Sequence, residues 1–118
     1  MRADFEVVEV PGDPYEIGVR GDLDMSVVDQ FRTALARAND DLGVALLIDL
    51  VDCTFIDSSG VWAILRTARP RMENGDGGRL AIVCRDGEVS KTLSIAGLDQ
   101  VIPVLQGRDE ALRALSLH

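Results

Sequence analysis

Val44-Ala45-Leu46-Leu47-Ile48-Asp49 is a continuous apolar run closed by a carboxylate, and shortly after it stands Phe55-Ile56-Asp57-Ser58-Ser59-Gly60-Val61. The first stretch has the composition of a central strand covered on both faces. The second opens a helix near Ser58, in which Val61, Ile64, Leu65, Ala68 and Met72 form one apolar stripe with Trp62 at its edge. Asp57 or a serine can cap that helix, and Gly60 allows it close approach to the sheet. The segment Asp49–Asp57 between strand and helix reads as a connection rich in short polar residues, with Phe55 and Ile56 as apolar plugs. Pro70 is expected to end or kink the helix, because it removes a backbone donor and crowds the preceding turn.

Outward from this unit the pattern repeats. Towards the N-terminus, Phe5–Val10 and Tyr15–Arg20 are strand-like and flank the turn Pro11-Gly12-Asp13-Pro14, which predicts a hairpin. Gly21-Asp22-Leu23-Asp24 breaks the second strand. A helix follows from Met25, with Val27, Val28, Phe31, Ala34, Leu35 and Ala38 on one face. Asp24 or Ser26 can cap it, and Ser26 with Asp29 resembles a capping box. Towards the C-terminus, Asn74–Gly78 is a flexible turn and Leu80–Cys84 another buried strand. Glu88–Ala96 is a short helix ending at a left-handed Gly97. Val101–Leu105 is a last strand that Pro103 places at an edge, and Asp109–Leu117 a closing helix. The order ββαβαβαβα predicts an α/β domain: a mixed sheet of four to five strands with about four helices. With no repeat and no linker, residues 1–118 are expected to form a single domain.

The chain has 118 residues, 47% of them hydrophobic, and its 12 basic residues face 20 acidic ones for a net charge of −8. That balance argues against a protein that coats nucleic-acid phosphates, and against docking on anionic lipid. No apolar run reaches the length of a membrane span, and Met1-Arg2-Ala3-Asp4 does not begin a signal peptide, so a cytoplasmic location is expected.

His118 is the one histidine, which removes the general base of most serine hydrolases. Cys53 and Cys84 are too few and too far apart to make a zinc site with it. Gly75, Gly77 and Gly78 lack the lysine of a phosphate-binding loop and lead into a strand. Asp22, Asp24, Asp49, Asp52 and Asp57 lie near strand ends, where magnesium is conceivable. Turn and cap roles explain them better, and no metal or cofactor is expected.

What remains is a pair of hydroxyls at a helix start. A phosphate there would face free backbone amides and the positive end of the helix dipole. It would also bring about −1.5 to −2 charges beside Asp57. Such a site can switch binding without any catalytic residue of its own.

The chain resembles the STAS domain of bacterial anti-sigma factor antagonists. The resemblance rests on Gly21-Asp22-Leu23-Asp24, the strand ending in Asp49-Leu50, and Phe55-Ile56-Asp57-Ser58-Ser59-Gly60. It continues through Val89, Gly97-Leu98 and Asp109–Leu115, so it spans residues 5–116. It implies that Ser58 is a phosphoacceptor, with Asp57 as its companion and Ser59 as a helix cap. Asp24 matches the acidic position before the first helix, and Gly60 belongs to the motif. The implied partners are an anti-sigma factor that is itself a serine kinase and a PP2C-type phosphatase. The unphosphorylated protein binds the kinase and frees a sigma factor in a stress response. Trp62 stands where the family carries something small, and is either a partner anchor or edge-of-core packing. Two further readings stay open: a STAS subunit of a transporter or signalling scaffold, and a metal-dependent phosphohydrolase using Asp22, Asp24 and Asp49.

Overall fold

The computed structural model describes residues 5–74 and 79–116. Gly75, Gly77 and Gly78 of the glycine-rich turn, Leu117 and His118 lie outside the described residues. The elements in chain order are β1 (Glu6–Val10), β2 (Tyr15–Leu23), α1 (Val28–Ala38), β3 (Leu46–Asp49), β4 (Cys53–Ile56), α2 (Ser58–Glu73), β5 (Leu80–Val83), α3 (Glu88–Ile95), β6 (Val104–Leu105) and α4 (Arg108–Ser116). The α/β class, the opening hairpin and the four helices agree with the sequence reading.

The sheet runs β1-β2-β3-β5-β6, with β4 paired separately to β2. β1 lies antiparallel to β2, and every other pairing is parallel. β3 is the buried centre. Leu46 and Ile48 enter the larger core, beneath α1, α2 and α3, while Leu47 enters a smaller core with Ala111 and Leu115 of α4. This two-sided burial is why its sequence shows no alternation. Phe31 of α1 and Ile64 of α2 are fully buried, each contributing about 1.5–3 kcal/mol of hydrophobic free energy.

Several local expectations change. β2 does not break at Gly21 but continues to Leu23. Gly21, at φ 91°, sits at an irregularity where β2 leaves β3 and pairs instead with β4. The segment read as a connection therefore contains a strand, which raises the count to six. Ile56 is buried as expected, whereas Phe55 is 42% exposed.

α1 begins at Val28 rather than Met25, and no side chain caps its first turn. The Asp24 carboxylate instead accepts the amide (3.0 Å) and hydroxyl (2.6 Å) of Ser26, holding a separate turn. α2 runs through Pro70 to Glu73. Its last turn is anchored by Arg71, which is 1% exposed. Met72, expected in the apolar stripe, points out at 61% exposure.

Candidate functional site

The partner change of β2 shapes one end of the sheet. Leu23 pairs with Ile56, and the Leu23 carbonyl accepts the Asp57 amide at 3.2 Å. The chain leaving β2 and the chain entering α2 are thereby brought side by side, so Asp24 and Asp57 neighbour each other although far apart in sequence.

Asp57 is the N-cap of α2, with extended backbone (φ −103°, ψ −174°). Its Oδ1 accepts the Ser59 amide at 2.9 Å, the Ser59 hydroxyl at 2.5 Å and the Gly60 amide at 3.4 Å. Its Oδ2 accepts the Met25 amide at 3.2 Å. One carboxylate thus caps the helix and ties the Asp24 loop to it. The expected free amides are accordingly not all free, since two are already satisfied by Asp57. A phosphate arriving beside them meets a carboxylate in place of open donors.

Ser58 is the first residue of α2 and is exposed. Its hydroxyl makes no hydrogen bond among the described residues, in contrast to that of Ser59. Gly60 is buried where α2 crosses the sheet end. A Cβ there would fall 2.7 Å from Ile56 Cγ1 and 3.0 Å from Leu23 Cδ2. Only glycine lets the helix start this close to the strands. Trp62, one turn on, is 61% exposed, and Met25 across the loop is 77% exposed. Edge-of-core packing therefore accounts for the smaller part of the Trp62 ring.

Sequence reasoning found Asp24, Asp57, Ser58, Ser59, Gly60 and Trp62, and the structure gathers them at this one end. It missed Met25, which was read as the first residue of a helix. It also missed Arg32 of α1 and Arg66 of α2, which line a shallow groove with Ser59 and Trp62. Exposed positions carry no periodic signal, so nothing in the pattern singles them out.

Of the other acids near strand ends, two are engaged locally. Asp22 accepts the Thr54 hydroxyl at 2.6 Å, and Asp49 the Val51 amide at 2.9 Å. Among the described residues no three of His, Cys, Asp and Glu are grouped to hold a metal ion, so Asp22, Asp24 and Asp49 do not converge as a phosphohydrolase would require. Both cysteines are free and buried. Burial pushes the Cys53 thiol up, and pushes Cys84 up to about 11 with a smaller contribution from Cys53. Both are therefore protonated and poor nucleophiles near neutral pH. Among the described residues no helix is long and apolar enough to cross a membrane.

The described residues thus form a mixed sheet that presents, at one end, a capped helix start with the Ser58 hydroxyl unbonded. The STAS domain family model matches residues 5–111, and the chain belongs to that family. Among solved structures, an anti-sigma factor antagonist from Mycobacterium paratuberculosis superposes with a TM-score of 0.81 at 24% identity. That match covers 98% of this chain and 97% of the other. The Bacillus cell fate determinant SpoIIAA in its phosphorylated form gives 0.65 at 23% identity, over 92% and 96%. The murine Solute Carrier 26 family member A9 anion transporter gives 0.66 at 18% identity, over 91% of this chain and 18% of that one. At these identities the likeness is one of fold.

Proposed function

We propose that this chain is an anti-sigma factor antagonist that works by partner switching in the cytoplasm, as one domain. Unphosphorylated, it binds an anti-sigma factor that is a serine kinase, and a sigma factor is released for a stress response. The kinase transfers the γ-phosphoryl group of ATP to the Ser58 oxygen, the hydroxyl proton is lost and ADP leaves. The phosphorylated chain then dissociates. A PP2C-type phosphatase restores the hydroxyl by hydrolysis, releasing inorganic phosphate. The chain itself is a substrate and a binding partner, not an enzyme.

The observation that carries this reading is the division of labour between the two serines. The Ser59 hydroxyl is held by Asp57, whereas Ser58 is exposed with its hydroxyl unbonded. A phosphate on Ser58 adds about −1.5 to −2 charges to a helix start that Asp57 already occupies. Desolvating both charges in an interface is unfavourable, so the partner is released. Asp57 and Gly60 hold the acceptor in place, and Asp24 shapes the adjoining loop. Trp62 supplies an aromatic anchor beside it.

The test is incubation with a cognate anti-sigma kinase and ATP, followed by phosphopeptide mapping. Phosphate is expected on Ser58 and absent from the Ser58→Ala protein; modification solely at other residues rejects the assignment. Ser58→Glu is expected to weaken kinase binding by about tenfold or more, and unchanged affinity would count against an electrostatic switch. The likeness to the transporter's domain favours a second reading, a STAS subunit of a membrane assembly. Recovery of membrane subunits without a kinase in a pull-down would support that reading instead.

A further inference from the structure

On the side of α2 that faces α1, the surface charge departs from that of the whole molecule. The chain carries 20 acidic and 12 basic residues, yet Val28, Arg32, Ser59, Trp62, Ala63 and Arg66 line a groove of about 320 Å³ that contains two arginines and no acid. The groove continues between the helices towards Asn39 and Thr67, and its one bordering carboxylate is Asp29. Asp29 lies 3.4 Å from Arg32, with both side chains well exposed. Exposed pairs of this kind are worth little and exchange readily for a better carboxylate. Arg66 makes no ion pair or hydrogen bond among the described residues, and the same is true of Arg69 one turn further along the same face. Elsewhere Arg20 pairs with Glu6, Arg37 with Glu9 and Arg108 with Glu16, while Arg85, Lys91 and Arg113, which have no ion pair among the described residues, do not line the groove. Arg71 is buried.

We infer that the α1–α2 groove is a docking site for an acidic, amphipathic helix of a protein partner. Two helices lying side by side leave a trough that a third helix can fill with its apolar face. Val28, Ala63 and the Trp62 ring supply the apolar floor and wall. Arg32 and Arg66, one on each bank, receive Glu or Asp side chains as charge-assisted hydrogen bonds. Charge complementarity selects the occupant. A short acidic segment meets only this local cationic patch. An extended polyanion such as a nucleic acid or an anionic membrane must also meet the surrounding acidic surface, which repels it. The groove adjoins the start of α2, and Ser58 itself is not among its lining residues.

Trp62 is the single tryptophan, so the groove carries its own fluorescent reporter. The probe is a synthetic helical peptide with Leu and Glu repeated along one face, titrated into the full chain. A saturable change in Trp62 fluorescence is expected, weakening as salt is raised because screening shortens the range of the attraction. The Arg32→Glu, Arg66→Glu double variant is expected to bind at least about tenfold more weakly. Arg66→Ala, with a native circular dichroism spectrum, gives the same direction if the double variant does not fold. Absence of a Trp62 response overturns the inference. So does equal binding of a Lys-for-Glu peptide, retained affinity in the arginine variants, or an equal response to phosphatidylglycerol vesicles or duplex DNA.

Discussion

The two ends of α2 are held by opposite means. At the N-terminal end a carboxylate, Asp57, reaches out to backbone amides of two segments, and the helix start remains at the surface with Ser58 exposed. At the C-terminal end a guanidinium is enclosed. Arg71 donates through Nε to Asn39 Oδ1 at 2.6 Å, through Nη1 to the Val44 (2.7 Å) and Arg79 (3.2 Å) carbonyls, and through Nη2 to the Ala38 carbonyl at 3.1 Å. Among the described residues no carboxylate hydrogen-bonds to it, and burial pushes its pKa down from the ordinary arginine value, with the nearby Asp41 charge opposing. It knits the end of α1, the entry to β3 and the entry to β5 to α2, giving donors to the Ala38 and Val44 carbonyls and a second one to the Arg79 carbonyl, which also accepts the Leu46 amide at 2.9 Å. The contrast teaches how one helix serves two needs. Arg71 holds one end from within, and Asp57 holds the other with a cap that leaves the Ser58 hydroxyl unbonded among the described residues.

The largest expected effect breaks the enclosed end. Arg71→Ala removes a large buried side chain and orphans several acceptors, and is expected to cost about 3 kcal/mol or more in urea unfolding. Arg71→Lys is not expected to restore it, since an ammonium cannot span the same fork of acceptors. A loss below about 1 kcal/mol would mean that the two ends are not held so differently.

Gly60→Ala probes the exposed end through its close contact with the strands. Alanine gains about 1 kcal/mol in helix propensity, but its Cβ would overlap Ile56 and Leu23. Overpacking of that kind costs about 1–3 kcal/mol. A net loss of up to about 2 kcal/mol is therefore expected by the same measurement, and a gain would show that the helix start can slide.

Asp57→Ala comes next. Loss of the cap is expected to cost about 1 kcal/mol, with amide hydrogen exchange rising at Met25, Ser59 and Gly60 but not around Arg71. Exchange spreading along the whole helix would erase the distinction between its ends.

The smallest effect lies at the surface beside the enclosed end. Arg37, next to Ala38, donates to Glu9 at 2.6 Å, and its hydrogen bonds hold the Glu9 carboxyl below the usual value near 4.5. Arg108 does the same to Glu16. Carboxyls with lowered pKa values add stability that is present above their unfolded value and lost as pH falls through the folded one. Stability is thus expected to decline gently through and below that value, and Glu9→Gln to flatten part of the slope in acid titrations. A rise in stability on acidification would contradict the pairing.

Legibility in the sequence divided along physical lines. The apolar run at Leu46–Ile48 and the stripes of α1 and α2 were readable because burial on one face or both imposes a period. The polar start of α2 was readable because caps, hydroxyls and glycines act through their nearest neighbours. β4 was not. Cys53–Ile56 is four residues long, with Thr54 and Phe55 exposed, and it is a strand only because β2 lies beside it. Arg71 and Met72 both satisfy the spacing that follows Val61, Ile64 and Ala68. Chemistry favoured the methionine, and the structure buried the arginine because carbonyls from three other segments converge there.

By itself, the sequence determined the α/β order, the central strand and the capped start of α2. Each of these follows from interactions within a few residues or from a repeating pattern of burial. Only the tertiary structure decided that β2 changes partners at Gly21, that Asp57 holds the Met25 loop, and that Arg71 closes the far end. It also decided that Arg32 and Arg66 face each other across one groove. Those outcomes depend on which distant segments become neighbours, and an exposed or buried charge carries no mark of that in the chain.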